Sequence, residues 1–147
     1  MNALEPMKQA DCTRCDVEAL LRQAGIHPTQ QRLAIAQVLL IQPVHCTADE
    51  ILQQARSLLP GLSRATVYNS LPLFVEKGLL RALRLDAERT VYDSRTDVHS
   101  HLYHEDTGQL QDLPMQMLPH MPCPPMPADL ELVSLDVIVR VRQRKMH

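Results

Sequence analysis

Apolar residues recur at helical spacing between residues 16 and 79, and this spacing predicts four helices. Polar residues and glycines mark the ends of these helices, because serine and threonine side chains cap free backbone amides and glycine accepts the turn that ends a helix. These signals are Gly25 after the first helix, Thr29 before the second, the capping box Thr47-x-x-Glu50 before the third, and Ser63 before and Gly78 after the fourth. Pro72 lies inside the fourth helix and predicts a kink or a shortened second half.

The periodicity changes to short alternating segments after residue 79. Two strands are predicted at residues 79–85 and 90–93, and further short strands at 101–105, 109–113 and 130–142. The last segment has alternating apolar residues that would share one face, namely Val133, Leu135, Val137, Val139 and Val141. Helices followed by a two-stranded hairpin are typical of a winged helix-turn-helix.

The predicted fold class is therefore α+β, with an N-terminal winged helix-turn-helix over residues 1–94 and a small C-terminal α/β domain over residues 95–147. The second domain is too short to bury a large core alone. We therefore expect it to be stabilised by pairing with a copy of itself in a symmetric homodimer. Residues 114–127 contain six prolines and four methionines and are predicted to be an irregular linker.

Composition narrows the kind of core and the cellular setting. Aromatic residues make up 3% of the chain and tryptophan is absent, so the core must be aliphatic. The chain has no apolar run long enough to cross a membrane and its first residues lack the apolar stretch of a secretory signal, so we expect a cytoplasmic protein without a membrane partner. The net charge of −2 means that any nucleic-acid binding must come from a local patch on a symmetric dimer.

The helix after Ser63 is the second helix of the predicted helix-turn-helix, which in DNA-binding proteins of this type lies in the major groove. Arginine and asparagine can pair with guanine and adenine edges, and threonine or tyrosine can contact thymine methyls or phosphates. The candidate DNA contacts are the early polar residues Arg64, Thr66, Tyr68, Asn69 and Ser70. An ordinary amphipathic helix with a solvated polar face would show the same pattern, so the residues alone leave DNA binding open.

From Leu20 to Asp112 the chain resembles the ferric uptake regulator (Fur) family almost throughout. The resemblance is carried by LRQAGIHPTQQR (21–32), HCTADEIL (45–52), LSRATVYNSL (62–71), FVEKGLL (74–80), VYD (91–93), HSHLY (99–103) and DTGQLQD (106–112). It implies a homodimeric repressor that binds palindromic DNA operators when loaded with metal, with Arg64 and Tyr68 near the DNA. His27 is a departure, because relatives often have lysine or arginine there to contact the minor groove.

A candidate metal site begins with His99-x-His101, because residues i and i+2 of a strand face the same side and both imidazoles can then meet one ion. Two surface histidines would give the same pattern. The resemblance adds His45, Asp93 and Asp112, which match the family's interdomain regulatory ligands. Imidazole nitrogen combined with carboxylate oxygen suits Fe²⁺ or Mn²⁺ and also accepts Zn²⁺ as a surrogate.

The resemblance is closest to the peroxide-sensing and haem-sensing (Irr-like) branches of the family. The peroxide sensors share aspartate rather than glutamate at position 112, where the shorter side chain would leave Fe²⁺ more open to peroxide. Many relatives hold a structural zinc with two C-x-x-C pairs in the C-terminal half. Here the single C-x-x-C pair is Cys12–Cys15, before the first helix, so we expect no structural zinc.

Cys123 is followed by proline, a dipeptide of the kind that can ligate haem, although a chance thiol in a loop is the simpler explanation. A haem- or zinc-responsive regulator of the same fold is therefore an alternative function. A small metalloenzyme that uses His99, His101 and a carboxylate is an alternative of another class. The sequence shows no nucleophile, glycine-rich loop or acid–base pair beside that cluster, so a regulator rather than an enzyme is predicted.

Overall fold

The computed structural model describes residues 14–41, 44–97, 99–114 and 123–146. The chain divides into two compact units, residues 1–96 and residues 97–147. The first unit contains α1 (Arg14–Gln23), α2 (Gln30–Leu40), β1 (His45–Thr47), α3 (Ala48–Leu58), α4 (Arg64–Glu76), β2 (Arg81–Arg84) and β3 (Thr90–Asp93). The second contains β4 (Ser100–His104), β5 (Leu110–Leu113) and β6 (Ile138–Val141).

The predicted helix caps of the first unit are confirmed. Thr29 Oγ1 accepts a hydrogen bond from the backbone amide of Arg32 at 3.2 Å, and Ser63 Oγ accepts one from Thr66 at 3.1 Å. At the start of α3, Thr47 and Glu50 form both hydrogen bonds of the capping box. Each bond satisfies a backbone amide that the first turn of a helix cannot pair internally, so local residues determine where these helices begin.

The core of the first unit is aliphatic, as the composition predicts. Side chains from all four helices are fully buried and pack in one cluster. They include Leu21 of α1, Ile35 and Leu39 of α2, Ile51 of α3, and Leu71 and Phe74 of α4, each 0% exposed. The three helices α2, α3 and α4 are thereby fixed against one another, which holds the start of α4 at the surface.

Pro72 does not shorten α4, which continues to Glu76, so that part of the prediction was wrong. Proline removes one backbone donor, at a cost that packing can offset. Leu71 and Phe74, on either side of Pro72, are both completely buried. Their burial holds the second half of the helix in place.

The strands of the first unit form an antiparallel sheet in the order β1-β3-β2. β2 and β3 make the predicted hairpin, with Leu83 opposite Val91. The short strand β1 was not predicted. It pairs with the other edge of β3 and places His45 opposite Asp93. Helices followed by this hairpin confirm the α+β fold class with an N-terminal winged helix-turn-helix.

The second unit contains a three-stranded sheet in the order β5-β4-β6, with β4 antiparallel to β5 and parallel to β6. β4 and β5 confirm two predicted strands. The third was predicted over residues 130–142, but regular pairing covers only Ile138–Val141. Val133 is 93% exposed, so the apolar alternation before β6 is not matched by burial within this chain. The described part of this unit contains strands but no helix.

The predicted irregular linker falls partly outside the described residues, which omit 115–122. Residues 123–127, at its end, have no regular secondary structure. Among the helices of the described residues, none is both long and apolar enough to cross a membrane.

Candidate nucleic-acid interface and metal centre

The start of α4 presents most of the predicted DNA contacts to solvent. Arg64, Tyr68 and Asn69 are exposed, and Thr66 is half-buried. The hydroxyl groups of Ser63 and Thr66 lie 2.8 Å apart and hydrogen-bond each other. The first two turns of α4 therefore carry an accessible polar surface, as the second helix of a helix-turn-helix requires.

Ser70 does not belong to this surface, so its burial gives no support to its assignment as a DNA contact. The residue is 6% exposed, and its hydroxyl donates a hydrogen bond to the carbonyl oxygen of Thr66 at 2.7 Å. It follows Asn69 by one residue, which is enough to turn the side chain from the exposed face of the helix to the buried one.

Asp49, in the first turn of α3, accepts hydrogen bonds from two of the predicted DNA contacts. The Arg64 guanidinium donates to Asp49 Oδ1 through Nη1, and the Tyr68 hydroxyl donates to the same oxygen at 3.1 Å. The hydrogen bond from Arg64 is the main cause that holds the pKa of Asp49 below its usual value, and that from Tyr68 adds to it. The Arg64 guanidinium also lies 5.8 Å from the centre of the Tyr68 ring.

The sequence did not predict these contacts of Asp49 with Arg64 and Tyr68. Arg64 follows Asp49 by fifteen positions in the sequence, and an acidic residue in the first turn of a helix is explained by the helix dipole alone. A polar depression of about 320 Å³ opens beside the carboxylate and is lined by Thr47, Asp49, Tyr68, Glu88, Thr90 and Tyr92. Burial raises the pKa of Tyr92, which lies in β3.

In the first unit, two of the predicted metal ligands lie side by side. Pairing of β1 with β3 brings His45 Nε2 to 3.2 Å from Asp93 Oδ2. The other carboxylate oxygen of Asp93 accepts a hydrogen bond from the backbone amide of Arg95 at 2.9 Å. Asp93 is buried and His45 is partly exposed. The pair thus offers one nitrogen and one oxygen whose carboxylate is held in a fixed orientation.

In the second unit, three more predicted ligands converge. His99 Nε2 and His101 Nε2 lie 3.3 Å and 3.4 Å from the same oxygen, Oδ1 of Asp112. The pairing of β4 with β5 places His101 directly opposite Asp112, and His99 lies two residues before His101. Both histidines are buried and Asp112 is partly exposed. The sequence correctly predicted that the two imidazoles face the same side.

The hydrogen bond on the far side of the His99 ring fixes which ring nitrogen carries the proton. Nδ1 lies 2.7 Å from the backbone carbonyl oxygen of Asp97. A carbonyl oxygen can only accept, so Nδ1 carries the proton and, in the neutral ring, Nε2 is the unprotonated nitrogen. Metal-bound histidines commonly have this kind of partner on the second nitrogen.

The spacing of these atoms fits a divalent cation. Ligand bonds of about 2.0–2.2 Å put neighbouring ligand atoms of an octahedral or tetrahedral site about 2.8–3.6 Å apart. The distances in both units, 3.2 Å in the first and 3.3 and 3.4 Å in the second, lie in that range. Two imidazole nitrogens and one carboxylate oxygen can also bind the same cation together. None of these three atoms then needs an additional proton.

The two cysteines whose side chains the structure describes take no part in these arrangements. Cys46 is buried and its pKa is raised, chiefly by burial, whereas Cys123 is exposed. In the part of the chain that the structure describes, no cysteine belongs to a cluster of three or more metal-ligating side chains. Cys12 lies outside the described residues, so the expected lack of a structural zinc stays a prediction.

Comparisons with known proteins identify the family of the chain. The model of the ferric uptake regulator family matches residues 23–121. Among individual proteins, the peroxide-responsive repressor PerR of Staphylococcus aureus (strain Mu50 / ATCC 700699) is 39% identical over 94 residues. The match covers 64% of this chain and 64% of that relative, which is less than two thirds of its length.

Solved structures show the same fold. The ferric uptake regulator of Pseudomonas aeruginosa, solved with manganese, is 24% identical with a TM-score of 0.63, over 87% of this chain and 98% of the other. The peroxide stress regulator of Campylobacter jejuni is 22% identical with a TM-score of 0.59, over 88% and 94% of the two chains. Since the family model matches more than half of its residues, the chain belongs to the ferric uptake regulator family.

Proposed function

We propose that the protein is a metal-dependent, DNA-binding transcriptional repressor that senses Fe²⁺ or Mn²⁺. The observation that carries this proposal is the convergence of His99, His101 and Asp112 on one point, in a chain whose first unit is a winged helix. Zn²⁺ would be accepted as a surrogate, because nitrogen and oxygen ligands of this kind do not exclude it.

One ion would be held by His45, Asp93, His99, His101 and Asp112 together. The pair in the first unit supplies two ligand atoms and the group in the second supplies three, whereas octahedral metal sites use about six. His99 follows Asp93 by six positions in the sequence, so the chain limits the distance between their Cα atoms to about 22 Å. Neither set completes a coordination shell alone, which favours a shared ion.

A shared ion would couple metal to DNA. It can bind all five ligands only when the two units adopt one relative arrangement, so metal shifts the population toward that arrangement. If the second unit also forms the dimer contact, the ion fixes the spacing of the two winged helices. Binding to a palindrome with half-sites one helical turn apart depends on that spacing.

In this proposal the first turns of α4 read the operator. Arg64 and Asn69 would contact base edges, while Thr66 and Tyr68 would contact thymine methyls or phosphates. These residues are exposed or half-exposed, which supports the assignment. Because the net charge is only −2, binding depends on this local surface rather than on the overall field.

The proposed homodimer would form through the second unit. The segment before β6 exposes the apolar side chains Leu130, Leu132, Val133 and Leu135, between 40% and 93% of each. A run of exposed apolar residues of this kind marks an interaction surface. A second copy of the chain would cover it.

A repressor of genomic DNA would act in the cytoplasm, and that location is part of the proposal.

A gel shift with a palindromic operator tests the central function. Chelator-treated protein should shift the duplex weakly, and addition of Mn²⁺ should restore binding. His101→Ala should stay weak at the Mn²⁺ concentration that restores the wild type. Glu105→Gln, which changes an exposed carboxylate on the same unit, should behave as the wild type. Equal binding with and without metal would contradict metal dependence.

Peroxide sensing is the second candidate function. It is favoured by the 39% identity to a peroxide-responsive repressor and by the short side chain of Asp112. Loss of an imidazole ligand through oxidation would release the metal and then the DNA. After a small peroxide dose to Fe²⁺-loaded protein, mass spectrometry should find an added oxygen atom on His45 or His99. The Mn²⁺ form is the control, and unmodified histidines in the Fe²⁺ form would contradict the proposal.

Enzymatic activity and a response to haem or zinc receive less support. Membership in a family of transcription regulators argues against the alternative of a small metalloenzyme. A haem-responsive role would rest on Cys123. The hydrogen bond that the structure gives the Cys123 thiol runs to the carbonyl oxygen of the adjacent Pro124, at 3.7 Å, and this contact favours neither haem nor zinc as the signal.

A further inference from the structure

Asp49 occupies an unexpected position for an acidic residue. Its carboxylate lies between the side chains of Arg64 and Tyr68, which the proposed function assigns to DNA binding. DNA is a polyanion, so a carboxylate at that surface opposes binding to its phosphates. The side chains of Arg64 and Asp49 are 62% and 65% exposed, which leaves both accessible to a duplex.

We propose that Asp49 is a positioning residue that sets the DNA specificity of α4. The inference rests on the proposed function, because it requires α4 to read DNA. Asp49 holds the Arg64 guanidinium and the Tyr68 hydroxyl in one arrangement and repels phosphates that approach them. Operator DNA would still gain base contacts from the arranged side chains, whereas non-cognate DNA would lose the phosphate contacts that a free arginine makes.

The hydrogen-bonding capacity of arginine makes both contacts possible at once. A guanidinium has five N–H donors, and Asp49 engages Nη1. Donors on the rest of the group stay available for the O6 and N7 acceptors of guanine, which arginine recognises through two hydrogen bonds. The guanidinium also lies 5.8 Å from the centre of the Tyr68 ring, so two neighbours restrict its rotation.

The surroundings of Asp49 strengthen its effect on phosphates. Glu88, from the turn between β2 and β3, lines the same depression as Asp49 and Tyr68. Two carboxylates therefore face the region between the β2–β3 hairpin and the start of α4. A phosphate there meets negative charge, while the base edges of an operator carry none.

The contact between Asp49 and Arg64 is poorly explained by folding stability alone. Both partners are exposed, and exposed ion pairs contribute little to stability. Asp49 does lie in the first turn of α3, where a negative charge favours the helix dipole. A purely structural role predicts that removing the charge lowers binding to every DNA sequence together. A specificity role predicts that binding to non-cognate DNA rises.

The test compares Asp49→Asn with the wild type, both as full-length chains loaded with Mn²⁺. Affinities are measured for an operator duplex and for a non-cognate duplex of equal length, over a range of salt concentrations. We expect the ratio of the two affinities to fall by about tenfold, which is the discrimination against a wrong base that one side-chain contact can provide. The salt dependence of non-cognate binding should steepen by about one phosphate contact per subunit.

Glu18→Gln is the matched control. Glu18 is an exposed carboxylate in α1, 3.0 Å from the guanidinium of Arg22, so its substitution removes the same charge and also releases an arginine. It should leave the affinity ratio unchanged. In an Arg64→Ala background, Asp49→Asn should have a much smaller effect on the ratio, because only the direct repulsion of phosphates by the carboxylate is then left to lose.

The outcomes separate this inference from the proposed function. If Arg64→Ala weakens operator binding but Asp49→Asn leaves the affinity ratio unchanged, Asp49 does not set specificity. The proposed function as a repressor is unaffected by that result. A parallel fall in both affinities with a lower melting temperature would also overturn the inference, by assigning Asp49 a structural role. If Arg64→Ala does not affect operator binding, the assignment of α4 fails.

Discussion

The imidazole of His99 shows how the surroundings of a single residue select its tautomer. The hydrogen bond from Nδ1 to the carbonyl of Asp97 selects the tautomer in which Nε2 is unprotonated, and Nε2 faces the Asp112 carboxylate at 3.3 Å. The spacing of His99 and His101 could be predicted, because strand geometry places alternate residues on one side. The tautomer could not be predicted, because it depends on a backbone carbonyl.

The residues of α4 lead to a prediction about DNA binding. Arg64→Ala and Tyr68→Ala should each weaken operator binding by about 1–3 kcal/mol, which is about 5- to 150-fold. The physical reason is the loss of contacts to base edges or the backbone. Fluorescence anisotropy with a labelled operator measures this. Arg22→Ala, on the exposed face of α1, is the control, and unchanged affinity in both α4 variants would remove this helix from the interface.

Single-residue prediction failed where tertiary packing decides the outcome. Ser70 resembles its polar neighbours in sequence, but the packing of α4 turns it toward the core. Asp49 was missed for a related reason, since its contacts with Arg64 and Tyr68 arise only when α3 and α4 pack together.

At the scale of secondary structure elements, local signals predicted the helix starts well. Caps and turns depend on neighbouring residues, so the starts of α2, α3 and α4 follow from the sequence. The strand β1 has only three residues and forms because the edge of β3 is available to pair with it. That pairing brings His45 to Asp93, so this part of the candidate site depends on an element too short to predict.

The start of α3 gives a prediction about stability. Thr47→Ala removes the side-chain acceptor of the capping box and should lower the free energy of unfolding by about 1 kcal/mol. Chemical denaturation measures the change. Ser57→Ala, an exposed position near the end of the same helix, should have a smaller effect. A variant of Thr47 as stable as the wild type would show that the capping box contributes little.

At the scale of the whole molecule, the chain is built from two units that differ in how completely they bury their apolar side chains. The first buries side chains from four helices in one core, whereas the second exposes a run of apolar residues before β6. The sequence predicted a dependent second unit from its length alone. It overestimated the strand at 130–142, because alternation of apolar residues does not reveal whether the partner surface lies in the same chain.

The exposed apolar segment leads to a prediction about assembly. Val133→Asp should convert a dimer into a monomer at micromolar concentration, because it places a charge in a surface proposed to be buried between two copies. Sedimentation analysis measures the change in mass. Glu131→Gln, at a neighbouring exposed position, should stay dimeric. An unaffected dimer in Val133→Asp would locate the dimer contact elsewhere.

The stoichiometry of metal binding tests most directly whether ligands from both units share one ion, as proposed. Calorimetric titration of chelator-treated protein with Mn²⁺ should show one ion per subunit. His45→Ala, in the first unit, and His101→Ala, in the second, should each weaken that same binding event at least about tenfold. Two ions per subunit in the wild type, with each variant losing only one of them, would contradict the account.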